Sequence, residues 1–498
     1  FLKDESEINM ADLSYTFKTG RKQFAFRKSI VYENKENLID LLNISFSSES
    51  IVLSKTNRPV VFMFSGQGSQ YFDMTKELYE NETLFQQWMD KGFLILQKIT
   101  GTDFKTILFH QQSPNLINET QFTQPLIFVL EYAMAQLLLS WGIKPQYMIG
   151  HSIGEYVAAC IAGIFSFEDG LKLVAKRGEI MNSLPKSSML SVSMSEKDSL
   201  AFLNKDISLA AVNASEQVVF SGKKEAIEEL AANLLTLNIS HVKLNTSHAF
   251  HSHLLDSILD EYRIVLESVS LNAPQMPIVS NLTGNYLLAE EAVSETYWVR
   301  HMREAVRFSD GIKKLLNENN DTVFIELGAG NSLSTLTKQH QTESTKPLCI
   351  NMVRHPKENV SDLKHLSHQL GQLWSAGVFI DWESYYKEEK RYKVSLPTYS
   401  FEKIKYPTEV KPLKEGFFNQ ELLVNHFDTK LKDCLYYAGW KSSIGPLNMK
   451  QKEKRGYLYF SKPGLFNQSS ISELLNPDDG LVEIEIGSVY KKTLPFHY

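Results

Sequence analysis

The stretch that most limits what this chain can become is Tyr147-Met-Ile-Gly-His-Ser-Ile-Gly-Glu-Tyr156. A short apolar run, Met148-Ile149, meets Gly150-His151-Ser152-Ile153-Gly154, and residues 155–163 then read as helix. Strand, sharp turn and helix follow one another with a serine at the apex. A small residue two places either side of that serine lets the backbone turn tightly and lifts the hydroxyl into the open. The following helix aims its first N–H groups at the same spot, where a developing oxyanion would be stabilised. A serine in an ordinary tight turn satisfies the same pentapeptide, so the rest of the chain has to decide.

At 498 residues several domains or subdomains are expected, because single cores stop growing near about 250–300 residues. Hydrophobic content of 43% with 22% charged residues is that of a soluble globular protein. The formal net charge of -6 argues against a general binder of nucleic acid or membrane surfaces. Cys160, Cys349 and Cys434 are odd in number and widely scattered. They form neither a disulfide framework nor a zinc pattern, so no metal and a reducing cytoplasm are expected. The first residues lack the basic start and apolar core of a signal peptide. Position 1 is not Met, so the chain is expected to be a piece of something longer. One run, 126–143, could pass for a membrane span. It carries Glu131 and Gln136, with Gln124-Pro125 before it and Gly142 near its end, and a buried core helix is the better reading.

In order, residues 1–57 read as a small α+β unit: helix at 10–17, strand at 24–32, helix at 37–42. A new domain opens at 58–70, where the apolar run 60–64 has the look of a strand buried in a parallel sheet. It ends in Gly66-Gln67-Gly68, a loop whose backbone can approach a ligand; the spacing and lysine of a phosphate loop are missing. Helices at 71–100 and 126–141 lead to the serine, and a helix at 167–184 follows it. Between 189 and 245 strands and helices alternate as βαββαβ, the ferredoxin-like plan, inserted within the larger α/β domain. That domain resumes at 247–253, with a strand at 277–280, helices around Trp298 and Phe308, and a strand at 323–327. The Gly328-Ala-Gly330 loop after it lacks the third glycine of a dinucleotide site. Residues 346–407 are a wrap-up segment, and strand-like runs at 435–440 and 456–460 look like the start of a further domain.

Taken together, Phe64-Ser-Gly-Gln-Gly-Ser69, Thr123-Gln-Pro125, Gly150-His-Ser-Ile-Gly-Glu155, Lys176-Arg-Gly178 with Met181, Val212-Asn-Ala214, His248-Ala-Phe-His251, Tyr297-Trp-Val-Arg300 and Leu396-Pro-Thr-Tyr399 resemble the acyltransferase domain of a modular polyketide synthase, related to malonyl-CoA:acyl carrier protein transacylases. The resemblance implies an α/β fold: an α/β-hydrolase-like large subdomain (58–186 and 248–345) with a ferredoxin-like βαββαβ small subdomain (187–247) inserted. It makes 1–57 the rear of the ketosynthase-to-acyltransferase linker and 346–410 the linker after the domain. More weakly, 411–498 resembles the opening of a ketoreductase-type structural region.

By this resemblance Ser152 takes the acyl group from coenzyme A as an ester. An unactivated hydroxyl needs a base within hydrogen-bond reach. His251 is that base by the resemblance; His151, His248 and His253 compete on sequence alone. No acidic third member is evident. The family orients its histidine with a main-chain carbonyl, expected from Ser280-Asn281, so Asp-to-Asn changes should be largely harmless. The N–H groups of Ile153 and Gln67 would form the oxyanion hole. Arg177 would grip the free carboxylate of a malonyl group with its planar fork; the alternative is a surface arginine pairing with Glu179 or Asp169. The His248-Ala-Phe-His251 form goes with malonyl rather than methylmalonyl units, Phe250 filling the room for an α-methyl. His248, Gln124, Asn213 and Asn281 complete the expected substrate pocket. No bound cofactor or metal is implied. The donor would be malonyl-CoA, the acceptor the phosphopantetheine thiol of an acyl carrier protein, and the neighbours other synthase domains, a ketosynthase upstream. A serine hydrolase shares the elbow but puts an acid and then a histidine after the serine.

Overall fold

The computed structural model describes residues 1–3, 7–44, 52–53, 58–110, 115–343, 345–400, 456–461 and 480–485. The chain divides into two compact units, Phe1–Tyr399 and Ser400–Tyr498. In the second, two strands pair in parallel. The expected strand at 435–440, and most of the expected further domain, lie outside the described residues.

The first unit begins with helices Met10–Thr19 and Lys35–Ile44. Asn9 caps the first of these, its side chain accepting the Ala11 and Asp12 N–H groups. The strand expected at 24–32 is cut to β1 (Phe26–Arg27), which pairs antiparallel with β2 (Val52–Leu53). Phe24 and Phe26 would form the apolar face of the longer strand, yet both are exposed; Arg27 is buried instead. Its guanidinium donates to the carbonyls of Phe24 and Trp374, so an ion fixed by backbone acceptors decides which way this segment faces.

The main sheet uses β3 (Val60–Phe64) and β4 (Tyr147–Gly150). After four strands of a second sheet, β5 (Ser188–Val192), β6 (Ile207–Ala214), β7 (Gln217–Gly222) and β8 (His241–Lys243), it resumes with β9 (Ile278–Val279), β10 (Val323–Ala329) and β11 (Leu348–Val353). The strands of the second unit are β12 (Gly456–Ser461) and β13 (Gly480–Glu485). The main sheet is parallel throughout, in the order β11-β10-β3-β4-β9. β3 and β10 are buried along their whole length, as strands covered on both faces must be. The second sheet is antiparallel in the order β6-β7-β5-β8. It has its own core of Leu190, Val212, Phe220, Ile227 and Leu234. Two backbone bonds, Val212 N–H to Val306 O and Val306 N–H to Ala210 O, tie it to the larger part.

The long apolar helix runs Thr120–Ser140, beginning six residues before the expected start and carrying Pro125 inside it. Thr120, Thr123, Gln124 and Pro125 are all buried, and that packing outweighs the backbone bond the proline gives up. By length and composition this helix could cross a membrane; here it is a core element lying between helices Thr83–Thr100 and Phe167–Asn182. The second contact is close because of glycines on one face. A Cβ on Gly170 would stand 2.7 Å from Phe128 Cζ, and one on Gly178 would stand 2.9 Å from Thr120 O. Arg177, beside Gly178, is thereby carried into the interior.

Candidate active site

Ser152, one residue past the His151 that follows β4, caps the helix Ile153–Ile161, at φ 51, ψ -112. That conformation is costly for a residue with a side chain. The two glycines around it are required by contact: a Cβ on Gly150 would lie 2.1 Å from Glu155 N, and one on Gly154 2.1 Å from Phe64 O. Asn281 braces the turn. Its Oδ1 accepts the Ser152 N–H at 2.7 Å, and its Nδ2 donates to Gly150 O at 2.8 Å.

His251 Nε2 is 2.7 Å from Ser152 Oγ, and Nδ1 is 2.8 Å from Glu304 O. A carbonyl only accepts, so Nδ1 carries the proton and Nε2 accepts from the serine hydroxyl. Burial, the charge of Arg177 and the neighbouring His301 hold this imidazole well below its ordinary pKa. It is therefore a neutral base at pH 7. The orienting carbonyl does not come from Ser280-Asn281: Ser280 O accepts the Gly284 N–H at 2.9 Å and Asn281 O the Arg307 N–H at 2.7 Å. The orienting carbonyl belongs to Glu304, which caps the helix Glu295–Arg303, where helix ends leave carbonyls without partners.

The three competing histidines are otherwise engaged. His151 Nε2 is 2.9 Å from Asn213 Oδ1, and His253 Nδ1 is 2.9 Å from Ser208 Oγ. His248 has Ser247 Oγ at Nδ1 and Leu184 O at Nε2, at 2.8 and 3.1 Å.

Arg177 is 1% exposed. The surface pairing considered for it is made instead by Lys176, which lies 3.1 Å from Glu179. Arg177 Nη1 donates to Gln124 Oε1 at 2.6 Å and Nη2 to Ser152 Oγ at 3.3 Å. Its Nε is buried with no hydrogen-bond partner, and the guanidinium lies over the Tyr156 ring. Among the described residues no carboxyl group pairs with it.

The glycine loop closes against the same turn: a Cβ on Gly66 would stand 3.0 Å from His151 O. Glu131 fixes the loop's root by accepting both the N–H and the hydroxyl of Ser65; burial pushes its carboxyl well up. Gln67 Nε2 reaches Thr120 Oγ1 at 3.2 Å. Ile153 is the first residue of its helix, so its N–H has no intrahelical acceptor. A hydroxyl bonded to a neutral imidazole, beside a buried cation and a helix N-terminus, can form and release an acyl ester.

The profile of the acyl transferase domain family matches residues 61–375, more than half of the chain. The chain belongs to that family. Residues 1–42 match a second family, described as CurL-like, PKS C-terminal. Polyketide synthase GfsA of Streptomyces halstedii is 32% identical over 422 residues, and the chain spans 6% of that protein's length. The solved acyl transferase domain of ZmaA shares 40% identity at a TM-score of 0.75, covering 80% of this chain and 93% of that one. Malonyl CoA-acyl carrier protein transacylase from Clostridium perfringens is 28% identical at a TM-score of 0.56, covering 64% and 97%.

In this acyl transferase domain Ser152, His251, Arg177 and Gln124 meet directly. Phe250, 7% exposed, adjoins His251. Asn213 reaches the site only through His151. His248 and Asn281 are engaged otherwise than expected: His248 bonds Ser247 Oγ and Leu184 O, and Asn281 braces the serine turn through Ser152 N–H and Gly150 O. Missed in the sequence were Glu304, whose contribution is a backbone atom with no side-chain signature, and Glu155, the glutamate of the serine motif. Among the described residues no group of three metal-ligating side chains gathers. A cavity of about 260 Å³ lined by Arg58, Lys144, Gln146 and Phe379 sits at the opposite, N-terminal end of β3, whereas ligands of parallel sheets bind beyond the C-terminal ends.

Proposed function

We propose that this acyl transferase domain moves a malonyl unit from malonyl-CoA, through an ester on Ser152, to the phosphopantetheine thiol of an acyl carrier protein in polyketide assembly. The carrying observation is Arg177: a buried guanidinium without a carboxyl partner among the described residues, 3.3 Å from Ser152 Oγ. A buried cation left unpaired is costly, and a substrate carboxylate at the far end of a short acyl group removes that cost. Two charge-assisted hydrogen bonds at about 1.5–3 kcal/mol each would set malonyl apart from acetyl. Phe250 beside His251 supports malonyl over methylmalonyl, a preference of about 1–3 kcal/mol for one methyl.

His251 Nε2 takes the hydroxyl proton as Ser152 Oγ attacks the thioester carbonyl, whose oxygen gains the negative charge. The N–H groups of Gln67 and Ile153 hold that oxyanion. The C–S bond then breaks, and the imidazolium returns the proton to the coenzyme A thiolate. The carrier thiol reverses the sequence: its proton goes to Nε2, its sulfur attacks the ester, and Ser152 leaves as alkoxide and is reprotonated.

The neighbours carry the rest of the reading. Residues 58–186 and 248–345 form an α/β-hydrolase-like large subdomain and 187–247 a ferredoxin-like one, which the two sheet orders support. Residues 1–57 and 346–410 are linkers; Arg27 to Trp374 O, Lys18 to Tyr386 and Arg21 to Leu396 O bond one to the other. Residues 411–498 open a following domain. A cytoplasmic setting is part of the reading. Its test is partition of the loaded enzyme: with a carrier protein present, malonyl-carrier should form faster than free malonate. Free malonate as the main product would make this a hydrolase.

A further inference from the structure

Glu155 sits within the first turn of the helix after Ser152, and its side chain is wholly buried. The reaction above makes no use of it. Its Oε2 accepts the Asn281 N–H at 2.6 Å, and Oε1 accepts the Tyr297 hydroxyl, which also lies 2.7 Å from Ser280 Oγ. His301 Nε2 stands 3.4 Å from Oε2, close but out of hydrogen-bond geometry.

These partners lead in two directions. Asn281 leads to the nucleophile, since its side chain bonds Ser152 N–H and Gly150 O. Tyr297 and His301 lie on the helix Glu295–Arg303, whose cap residue Glu304 offers its carbonyl to His251 Nδ1. The two residues so supported are also the two non-glycine residues of the site with positive φ, Ser152 at 51° and His251 at 55°. Strained backbone of this kind persists only where its surroundings over-determine it. A buried carboxyl group, for its part, has to be satisfied by hydrogen bonds, and every one found here belongs to an element that aims the dyad.

We propose that Glu155 is a positioning residue: it joins Asn281 to the Glu295–Arg303 helix and thereby keeps Ser152 Oγ and His251 Nε2 at hydrogen-bonding distance. The inference rests on the reading of Ser152 as nucleophile, but not on malonyl as substrate.

The test uses the full chain with Glu155→Gln, Tyr297→Phe and the double variant. Two rates are measured: labelling of Ser152 by a fluorophosphonate, which needs the dyad and not the malonyl pocket, and single-turnover acylation over a range of malonyl-CoA concentrations. Displacing the reacting atoms by a fraction of an ångström to one ångström should slow both maximal rates by about 10- to 100-fold. The half-saturating malonyl-CoA concentration should stay within about twofold, the mark of an interaction that acts on the reacting geometry and not on ground-state binding. The double variant should be no slower than the worse single one, because both cut one support. Near-ultraviolet circular dichroism at the assay temperature fixes the folded fraction. Should Glu155→Gln not fold, Tyr297→Phe, which removes a single oxygen, decides alone. A folded variant that labels within about twofold of the unsubstituted chain overturns the proposal. An unsubstituted chain that labels but takes no malonyl sinks the substrate reading and leaves this test in force.

Discussion

Three residues apart in one segment, His248 and His251 stand in nearly the same surroundings by hydrogen-bond inventory. Each is 3% exposed, each has a serine hydroxyl at one ring nitrogen, and each has a backbone carbonyl at the other. Only the second belongs to a site. Its serine sits on a strained turn at a helix N-terminus, 3.3 Å from a buried guanidinium. The first has for partner its own chain neighbour, Ser247, whose hydroxyl is otherwise 3.4 Å from Thr120 Oγ1. A serine–histidine–carbonyl chain is thus ordinary protein interior. What turns one into a transfer site is a place for an oxyanion and a buried cation that no carboxyl group among the described residues neutralises.

The comparison breaks most readily at the two serines. Ser152→Ala should abolish acyl-enzyme in intact-mass spectra, and Ser247→Ala should retain it; equal loss in both would mean the two chains cannot be told apart by geometry. The histidines come next. His251→Gln should slow acylation by about 10²- to 10⁴-fold, the usual range for a general base. His248→Gln should leave acylation largely intact and lower the denaturation midpoint, since it strands Ser247 or Leu184 O in the interior at about 1–3 kcal/mol. Arg177→Ala sharpens the contrast further, with malonyl loading down about 100-fold or more while acetyl loading rises.

The smallest effect is on pH. The folded His251 pKa is depressed, so the neutral base persists below the ordinary 6.5, and the labelling rate should fall only as pH drops through the lower value. Arg177 is one cause of that depression. Its replacement by alanine should therefore move the acid limb of fluorophosphonate labelling upward, towards 6.5, and an unmoved limb would remove Arg177 from the electrostatics of the base.

The parts of this site that the sequence discloses are those made by neighbours along the chain. Gly150, Ser152 and Gly154 announce their turn because the steric need for glycine is local. The βαββαβ order is legible over 189–245 for the same reason, as short alternating runs punctuated by turns, and the elements of that order run from Ser188 to Lys243. Contacts between distant elements left no such mark. That Gln124 would meet Arg177 depends on how closely two helices pack at Gly170 and Gly178. That Glu304 would orient His251 depends on where a helix ends. The run at 24–32 alternates as a long strand would, yet among the described residues only Phe26–Arg27 pairs, with Val52–Leu53, because pairing depends on a distant partner that alternation does not reveal. Glu155, within the Gly150–Glu155 motif itself, carries no such mark either, because nothing in its sequence neighbours shows which groups will surround it.

The most direct trial of the account offers the chain equal amounts of malonyl-, methylmalonyl- and acetyl-CoA, then maps by intact mass and peptide sequencing which acyl group is retained and where. A malonyl ester on Ser152 as the dominant species is the predicted result. A predominance of acetyl, or an acyl group on any other residue, would contradict the claim that a buried arginine without a carboxyl partner among the described residues selects a diacid for this hydroxyl.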